Sequence, residues 1–191
     1  MRQREDYVTI DKIPDSLLEA VVAVEDSRFY SHHGFDPEAI ARAMLVNLQY
    51  GRIEEGASTI TQQLAKNLFL SDEQSLDRKL EEALLALDLE AHYSKDEILE
   101  LYLNTIYFGS GFYGVHEASV GYFGKEPEEL DLPETSMLAG IPNAPSAYSP
   151  YVDFMLSKKR QIVVLDAMVR TGCITESVAE SAKIKPLYFA R

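Results

Sequence analysis

Glu25 is the residue of this sequence with the strongest indication of acid–base chemistry. It ends an apolar stripe of helical spacing that includes Leu17, Val21 and Val24, so its carboxylate should lie in partly apolar surroundings. Such surroundings raise the pKa of a carboxyl group toward neutrality, and a general base contributes typically ~10²–10⁴-fold in rate. A lone helix-end glutamate is more often solvated. The adjacent Asp26 faces another side and should support the following turn through hydrogen bonds.

Two consecutive histidines, His32 and His33, follow the glutamate. Consecutive side chains diverge in most backbones, and no spaced set of cysteines and histidines completes a metal site. The sequence therefore argues against zinc. We expect His32 to donate a hydrogen bond beside Glu25 and Phe29 instead.

A second set of residues could bind an anion through fixed positive charge. The chain has 18 lysine and arginine residues and 31 acidic ones, a formal net charge of −13, which argues against a nucleic-acid-binding protein. An anion must therefore meet a local basic pocket, for which Lys66, Arg78 and Lys79 are candidates. Preorganised cations of this kind, aimed at a diphosphate leaving group, are each worth roughly 2.7–4 kcal/mol. The alternative is a solvated helix surface with an ordinary Arg78–Glu82 pair, worth about 0.2–0.5 kcal/mol.

A polar helix start supplies a third set of candidates. Thr59 and Gln62 have the spacing of a capping box, so capping explains these two. The free N–H groups of a helix start also favour an anion, and a second glutamine, Gln63, exceeds what capping requires. Hydrogen bonding to a sugar or phosphate is therefore as well supported as a structural role for the whole set, Ser58, Thr59, Thr61, Gln62 and Gln63.

Helical patterns position all of these side chains. We expect helices over 14–25, from Asp36-Pro37 to Gly51, from Thr59, from the Ser71/Gln74 pair, from Ser94 through Tyr102, from Asp153 to Gly172, and within 175–191. The helix after Ser71 should turn Leu76, Leu80, Ala83, Leu84 and Leu87 inward and place Arg78, Lys79 and Glu82 together on another face. Glycines predict an irregular loop at Gly109, Gly111 and Gly114. Strand signals are limited to Tyr7–Ile10.

The organisation predicted for residues 1–191 is a single domain, with about 175–191 leading toward a further domain outside the chain. The lone Cys173 cannot form an internal disulfide. No apolar run reaches the roughly 18 residues of a membrane-spanning helix, and no signal peptide opens the chain.

The candidate residues lie within ordered motifs that cover most of the chain. The first motifs are Glu25-Asp26-x-x-Phe29-x-x-His32-x-Gly34 and Gly56-x-Ser58-Thr59-Ile60-Thr61-Gln62-Gln63 with Lys66-Asn67. Next come Arg78-Lys79-x-x-Glu82 and Lys95-x-x-Ile98-Leu99-Glu100-x-Tyr102-Leu103-Asn104. The last are Gly109-x-Gly111-x-Tyr113-Gly114-Val115, Tyr122-Phe123-Gly124-Lys125 and Leu138-Ala139-Gly140-x-Pro142. Together they closely resemble the peptidoglycan glycosyltransferases of family 51, found in class A penicillin-binding proteins and monofunctional glycan polymerases.

This resemblance implies a mainly α, lysozyme-like domain with a large head lobe and a small membrane-proximal jaw lobe. Its substrate would be lipid II, the undecaprenyl-diphosphate disaccharide-pentapeptide, and the glycan strand would grow in the cleft between the lobes. Glu25 would take the proton from the 4-hydroxyl of the acceptor GlcNAc as that oxygen attacks C1 of the donor MurNAc, giving an inverted β-1,4 link.

The resemblance also implies a donor site built around a second catalytic residue, Glu82. Lys66, Arg78 and Lys79 would neutralise the donor diphosphate, with Mg²⁺ or Mn²⁺ as a divalent ion sharing that work near Glu82, and no organic cofactor is implied. The remaining substrate-binding residues implied by the motifs are Asp26, Phe29, His32, Ser58, Thr59, Gln62, Gln63 and Asn67.

The resemblance places the domain at the outer face of the bacterial cytoplasmic membrane, anchored by a transmembrane segment outside these residues. Moenomycin-type inhibitors should compete for the donor side. A transpeptidase domain is implied for a bifunctional parent protein, although no Ser-x-x-Lys motif occurs within this chain. An apolar stripe should face lipid or, equally well supported, pack in the core; its members are Ile40, Met44, Leu45 and Leu48.

Two other functions remain open from the sequence. A lysozyme-like muramidase or lytic transglycosylase could also use one helix-end glutamate, but cleaving a neutral glycosidic link requires no group such as Lys66, Arg78 and Lys79. The second alternative is a catalytically silent scaffold for the cell-wall machinery. The presence of both Glu25 and Glu82 makes this alternative less well supported.

Overall fold

The fold is built from α-helices joined by short 3₁₀ turns and loops. A computed structural model describes residues 6–50, 57–69 and 76–190. The helices are α1 (Asp15–Glu25), α2 (Pro37–Tyr50), α3 (Ile60–Phe69), α4 (Leu76–His92), α5 (Lys95–Thr105), α6 (Val115–Phe123), α7 (Leu132–Gly140), α8 (Pro145–Tyr148), α9 (Phe154–Arg170) and α10 (Glu176–Ile184). The predicted mainly α class is confirmed.

Side-chain caps begin several helices where the sequence predicts them. Ser94 and Glu97 form a reciprocal capping box at α5, and Asp153 accepts a hydrogen bond from the Leu156 N–H at α9. Asp36 does the same for the first N–H groups of α2. These caps satisfy N–H groups that have no partner within the helix. The predicted Ser71/Gln74 pair lies outside the described residues.

The predicted strand at Tyr7–Ile10 is wrong. Asn104 of α5 takes the place of a neighbouring strand, because its side chain accepts from the Val8 N–H and donates to the Val8 carbonyl oxygen, both at 2.8 Å. Glu100, one turn earlier, accepts from the Ile10 N–H at 2.8 Å. The backbone of this segment is thus satisfied by side chains, and no strand occurs in the described part of the chain.

One continuous core joins the contact of α1 with α7 and α9 to the contact of α3 with α4 and α5. Leu17, Leu138 and Leu165 are completely buried within it.

The sequence did not predict α6 and α7. Gly114 and Gly124, with positive φ values of 81° and 66°, flank α6, a nine-residue helix whose stripe is too short to be evident in the sequence.

The prediction for the faces of α4 is wrong in part. Leu80, Leu84 and Leu87 are exposed rather than buried, and the side chain of Leu76 is not described. The buried positions of α4 are instead Glu82, Ala86 and Leu89, and Glu82 is only 3% exposed. The burial of Glu82 is explained by its cationic partners, Arg78 and Lys79. The predicted grouping of Arg78, Lys79 and Glu82 is confirmed.

The apolar stripe of α2 is exposed as well, so the alternative of core packing is wrong. Leu45 and Leu48 are 70% and 76% exposed, and Ile40 and Met44 are also on the surface. We use the name apolar face for these exposed residues of α2 together with Leu80, Leu84 and Leu87 of α4. None of the described helices is both long and apolar enough to cross a membrane.

The carboxyl-terminal residues form the predicted helix and return to the domain. Ala179 and Ala182 of α10 are buried, and the Phe189 ring stacks on Phe123 at 5.5 Å between centroids. The Ala190 N–H donates to the Tyr122 carbonyl oxygen. The tail is therefore fixed to the helices before it, and its role as a lead-in to another domain stays a prediction.

Candidate active site

Glu25 lies at the end of α1, where side chains from two other helices converge on its carboxylate. Gln63 of α3 donates from Nε2 to Oε2 at 3.0 Å, and Arg160 of α9 places Nη2 3.3 Å from Oε1. The Glu25 side chain is only 6% exposed. Burial raises the pKa of this carboxyl above its usual value, and the contacts with Gln63 and Arg160 oppose that rise without cancelling it. Such a group suits a general base.

Arg160 reaches Glu25 because a glycine leaves room for its side chain. A Cβ atom at Gly140 would lie 2.8 Å from Arg160 Cγ, and the Arg160 Nε donates to the Gly140 carbonyl oxygen at 3.3 Å. This contact explains the glycine of the Leu138-Ala139-Gly140-x-Pro142 motif. Arg160 was not predicted from the sequence, although its position three residues after Ser157 and four before Val164 puts it on the buried side of α9.

Asp26 and His32 fasten the turn after Glu25 to the start of α3. His32 Nε2 lies 3.0 and 2.9 Å from the two carboxylate oxygens of Asp26, and Oδ2 also accepts from the Ile60 N–H at 3.1 Å. The buried Phe29 ring meets His32 edge-on. Burial raises the pKa of Asp26, opposed by His32 and the Ile60 N–H. His32 therefore lies beside Phe29 and next to Glu25 as expected, and its hydrogen-bond partner is Asp26.

The start of α3 shows how tightly the predicted polar residues are engaged. The Thr59 N–H donates to Gln62 Oε1, the Gln62 N–H donates to Thr59 Oγ1, and Thr59 Oγ1 donates to the Gly34 carbonyl oxygen. Both side chains are buried. The capping box is thus confirmed, whereas contacts of Thr59 and Gln62 with substrate stay a prediction.

Gly34 belongs to the same contact between segments. Its φ is +87°, and a Cβ atom would lie 3.1 Å from the backbone of Ala86 in α4. Both conditions favour glycine, because a side chain would be strained and would push α4 away. The turn after Glu25 therefore approaches α4 closely.

A second cluster surrounds Glu82 on the inner face of α4. Its carboxylate forms an ion pair with Lys79, and Arg78 Nη1 lies 3.7 Å from the other oxygen. Lys79 Nζ also donates to Ser58 Oγ at 2.9 Å, which joins α4 to the residues before α3. Two cations held by one buried carboxylate form a preorganised positive site that can accept a polyanion.

Lys66 and Asn67 are exposed on α3, one turn beyond Gln63 on the same side of the helix. Among the described residues no ion pair joins Lys66 to Glu82. The structure thus brings Gln63 to Glu25 and gathers Ser58, Arg78 and Lys79 at Glu82. It leaves Lys66 and Asn67 on the adjoining exposed surface of α3.

The surroundings of Glu82 do not resemble a metal site. Within residues 6–50, 57–69 and 76–190 there is no group of three or more His, Cys, Asp or Glu side chains that could hold an ion. The groups next to Glu82 are cations, which repel a divalent ion. We therefore assign no chemical step to Mg²⁺ or Mn²⁺, and the metal stays a prediction.

Lys95 and Thr61 share a partner, Glu90, next to the candidate active site. Lys95 Nζ donates to Glu90 Oε1 at 2.7 Å and lies 4.4 Å from the centroid of the Phe29 ring. Thr61 Oγ1 donates to the same Glu90 oxygen at 2.6 Å. Lys95 was predicted only as a member of a motif and Thr61 as one of the polar residues at the start of α3, and their contacts with Glu90 could not be derived from spacing.

Comparison with known proteins gives consistent matches over nearly the whole chain. A family model described as "Transglycosylase" matches residues 1–169. Penicillin-binding protein 1A of Aquifex aeolicus is 51% identical over 185 residues, 97% of this chain and 26% of that protein. Its namesake in Escherichia coli is 47% identical over 180 residues, 94% of this chain and 21% of that protein.

A shorter relative and a crystal structure extend the comparison. A Cupriavidus necator protein provisionally named a transglycosylase is 46% identical over 186 residues, 97% of this chain and 80% of that protein. The crystal structure of penicillin-binding protein 1A from Haemophilus influenzae matches with a TM-score of 0.60 and 26% identity, over 99% of this chain and 19% of that chain. The chain spans about a quarter of the length of the penicillin-binding proteins that it matches.

Proposed function

This chain belongs to the transglycosylase family, and from that premise we propose that it is a peptidoglycan glycosyltransferase that polymerises lipid II. The observation that carries the proposal is the buried Glu25 carboxylate, held by Gln63 and Arg160 at 3.0 and 3.3 Å. A separate cationic cluster around Glu82 lies on the neighbouring helix α4. A base and a diphosphate site are the two groups that this reaction requires.

Glu25 acts as the base in the proposed reaction. It accepts the proton of the GlcNAc 4-hydroxyl while that oxygen forms a bond to C1 of the donor MurNAc. The bond between C1 and the diphosphate oxygen breaks, and its electron pair leaves with undecaprenyl diphosphate. Attack from the opposite side inverts C1 and gives the β-1,4 link. The raised pKa of Glu25 favours this proton transfer, because a stronger base takes the proton more readily.

The donor diphosphate binds at the cluster around Glu82 in this proposal. Arg78 and Lys79 neutralise the charge that the leaving group develops, and Glu82 keeps both cations in position. Lys66 and Asn67 would extend the site along α3, with Ser58, Thr59, Gln62 and Gln63 on the donor side. Asp26, Phe29 and His32 would shape the turn that carries Glu25. Moenomycin-type phosphoglycolipids would compete with lipid II for this cluster.

The apolar face gives the proposal a site for the lipid. Leu45 and Leu84 are 70% and 58% exposed on α2 and α4, whereas Glu82 of α4 is turned inward. A surface of this kind can rest on a membrane, with the lipid tail of the donor beside it. A domain that uses lipid II in this way would lie at the outer face of the bacterial cytoplasmic membrane. An anchoring segment and a transpeptidase domain, in a longer protein, are part of this proposal.

Polymerisation of purified lipid II tests the proposal directly. The wild-type chain should produce glycan strands, and Glu25→Gln should abolish them while its circular dichroism spectrum stays unchanged. Glu19→Gln is the matched control, because Glu19 is an exposed glutamate on the same helix. Appreciable glycan from Glu25→Gln would overturn the assignment of the base. Cleavage of finished glycan without use of lipid II would indicate a muramidase or lytic enzyme instead.

A further inference from the structure

Tyr102 is a buried residue of α5 that lies behind the proposed base. Its hydroxyl donates to Gln63 Oε1 at 2.9 Å, while Gln63 Nε2 donates to Glu25 Oε2 at 3.0 Å. Tyr102 has no exposed surface, and burial together with the charges of Glu25 and Asp26 raises its pKa well above the usual value. The hydroxyl therefore keeps its proton and acts as the donor to Gln63.

The two ends of the Gln63 amide are not equivalent in this chain of hydrogen bonds. The NH₂ end can donate to the Glu25 carboxylate, but the carbonyl end would place an acceptor against an anion. The Tyr102 proton binds the carbonyl end and so favours the orientation in which the NH₂ end faces Glu25. An amide without this partner would keep only the hydrogen bond to Glu25 and would hold this orientation less firmly.

We propose that Tyr102 is a positioning residue that fixes the orientation of the Gln63 amide and so keeps a hydrogen-bond donor on the Glu25 carboxylate. This inference rests on the proposed role of Glu25 as base. Tyr102 touches neither Glu25 nor substrate in this account and acts only through Gln63.

The charged and polar groups that face Glu25 set the direction of the effect. Arg160 of α9 and the Gln63 NH₂ group of α3 stabilise the charged form, whereas Asp26 at the end of α1 disfavours it. Removing the Tyr102 hydroxyl weakens the Gln63 contribution, so the pKa of Glu25 should rise further. The base is then protonated over a wider range of acidic pH, and activity should fall more at acidic than at alkaline pH.

The test compares pH profiles of kcat/KM for lipid II polymerisation. Tyr102→Phe removes one oxygen and keeps the ring, and we expect its acid limb to move to higher pH. A hydrogen bond to a charged group corresponds to roughly tenfold or more, and Tyr102→Phe weakens the Gln63–Glu25 bond without deleting it, so kcat/KM on that limb should fall by up to about tenfold relative to the plateau. Gln63→Leu should show at least this shift. Adding Tyr102→Phe to Gln63→Leu should move the limb no further, because the intermediary is gone.

Tyr122→Phe is the matched control. Tyr122 is also a fully buried tyrosine, but its hydroxyl donates to the Phe108 carbonyl oxygen and contacts Ser149, without a connection to Glu25. Its removal should lower thermal stability and leave the acid limb in place. An unshifted limb in Tyr102→Phe, or an additional shift in the double variant, would overturn the positioning role.

A second measurement needs no polymerisation and separates this inference from the proposed function. The Glu25 carboxyl can be titrated by ¹³C NMR, with its signal assigned by the loss in Glu25→Gln. We expect a higher pKa for Glu25 in Tyr102→Phe than in the wild type. If Glu25→Gln still polymerises lipid II, the proposed base is wrong whatever this titration gives. If Glu25→Gln is inactive and Tyr102→Phe leaves the titration unchanged, only the positioning role is wrong.

Discussion

Replacing Glu25 by glutamine should stabilise the folded chain at neutral pH while it removes the proposed base. The Glu25 side chain is 6% exposed, and burial raises the pKa of its carboxyl despite the opposing contacts with Gln63 and Arg160. A raised pKa means that the folded chain favours the neutral carboxyl, so ionising Glu25 costs free energy of folding. Glutamine has the shape of the neutral carboxyl and never ionises.

The size of this difference should depend on pH in one direction. Well below the ordinary glutamate pKa of 4.5, Glu25 is neutral in both the folded and the unfolded chain, and the two proteins should melt alike. As the pH rises through the raised folded pKa, the wild type loses stability that the variant keeps. Each unit of pKa difference is worth about 1.4 kcal/mol, which is roughly 3–6 °C in melting temperature for a chain of this size.

Thermal melts followed by circular dichroism from about pH 3 to about pH 8 would measure the effect. Glu19→Gln removes the same charge from the exposed side of α1 and should show no comparable pH dependence. A Glu25→Gln protein that is less stable than the wild type at the alkaline end would refute the reasoning. That result would mean that Arg160 without its carboxylate costs more than burying the charge of Glu25.

Two further predictions concern the donor and the membrane. Lys66→Ala should raise the KM for lipid II by about tenfold or more without changing the melting temperature, since Lys66 is exposed; an unchanged KM in initial-rate assays would remove it from the donor site. Leu45→Glu should weaken co-sedimentation with phospholipid vesicles and leave the fold intact, because Leu45 is 70% exposed; equal binding by the variant would show that another surface meets the membrane.

The sequence predicted best the features that depend on neighbours along the chain. The capping pairs Ser94/Glu97 and Thr59/Gln62 lie within one helical turn, and both occur as expected. The grouping of Arg78, Lys79 and Glu82 follows from the same periodicity. Local spacing is sufficient in these cases because the partners are fixed by helix geometry alone.

Contacts between distant segments could not be predicted in this way. Arg160 meets Glu25 across 135 positions of sequence, and Asn104 meets Val8 across 96. The contact between Arg160 and Glu25 needs the space left by Gly140. In the contact between Asn104 and Val8, a segment with the residue types of a strand pairs with a side chain instead of another strand. Both depend on how helices approach each other, which residue spacing does not specify.

The error over α4 has a different cause. The spacing correctly separated an apolar side, with Leu80 and Leu84, from a charged side, with Glu82, but the sequence analysis assumed that the apolar side faces the core. The apolar side of a helix faces the core only when the charged side faces water. Under the proposed function α4 lies between a diphosphate site and a lipid surface, so Arg78 and Glu82 turn toward the reaction while Leu80 and Leu84 turn toward the membrane. This arrangement suits a donor with a charged head and an apolar tail.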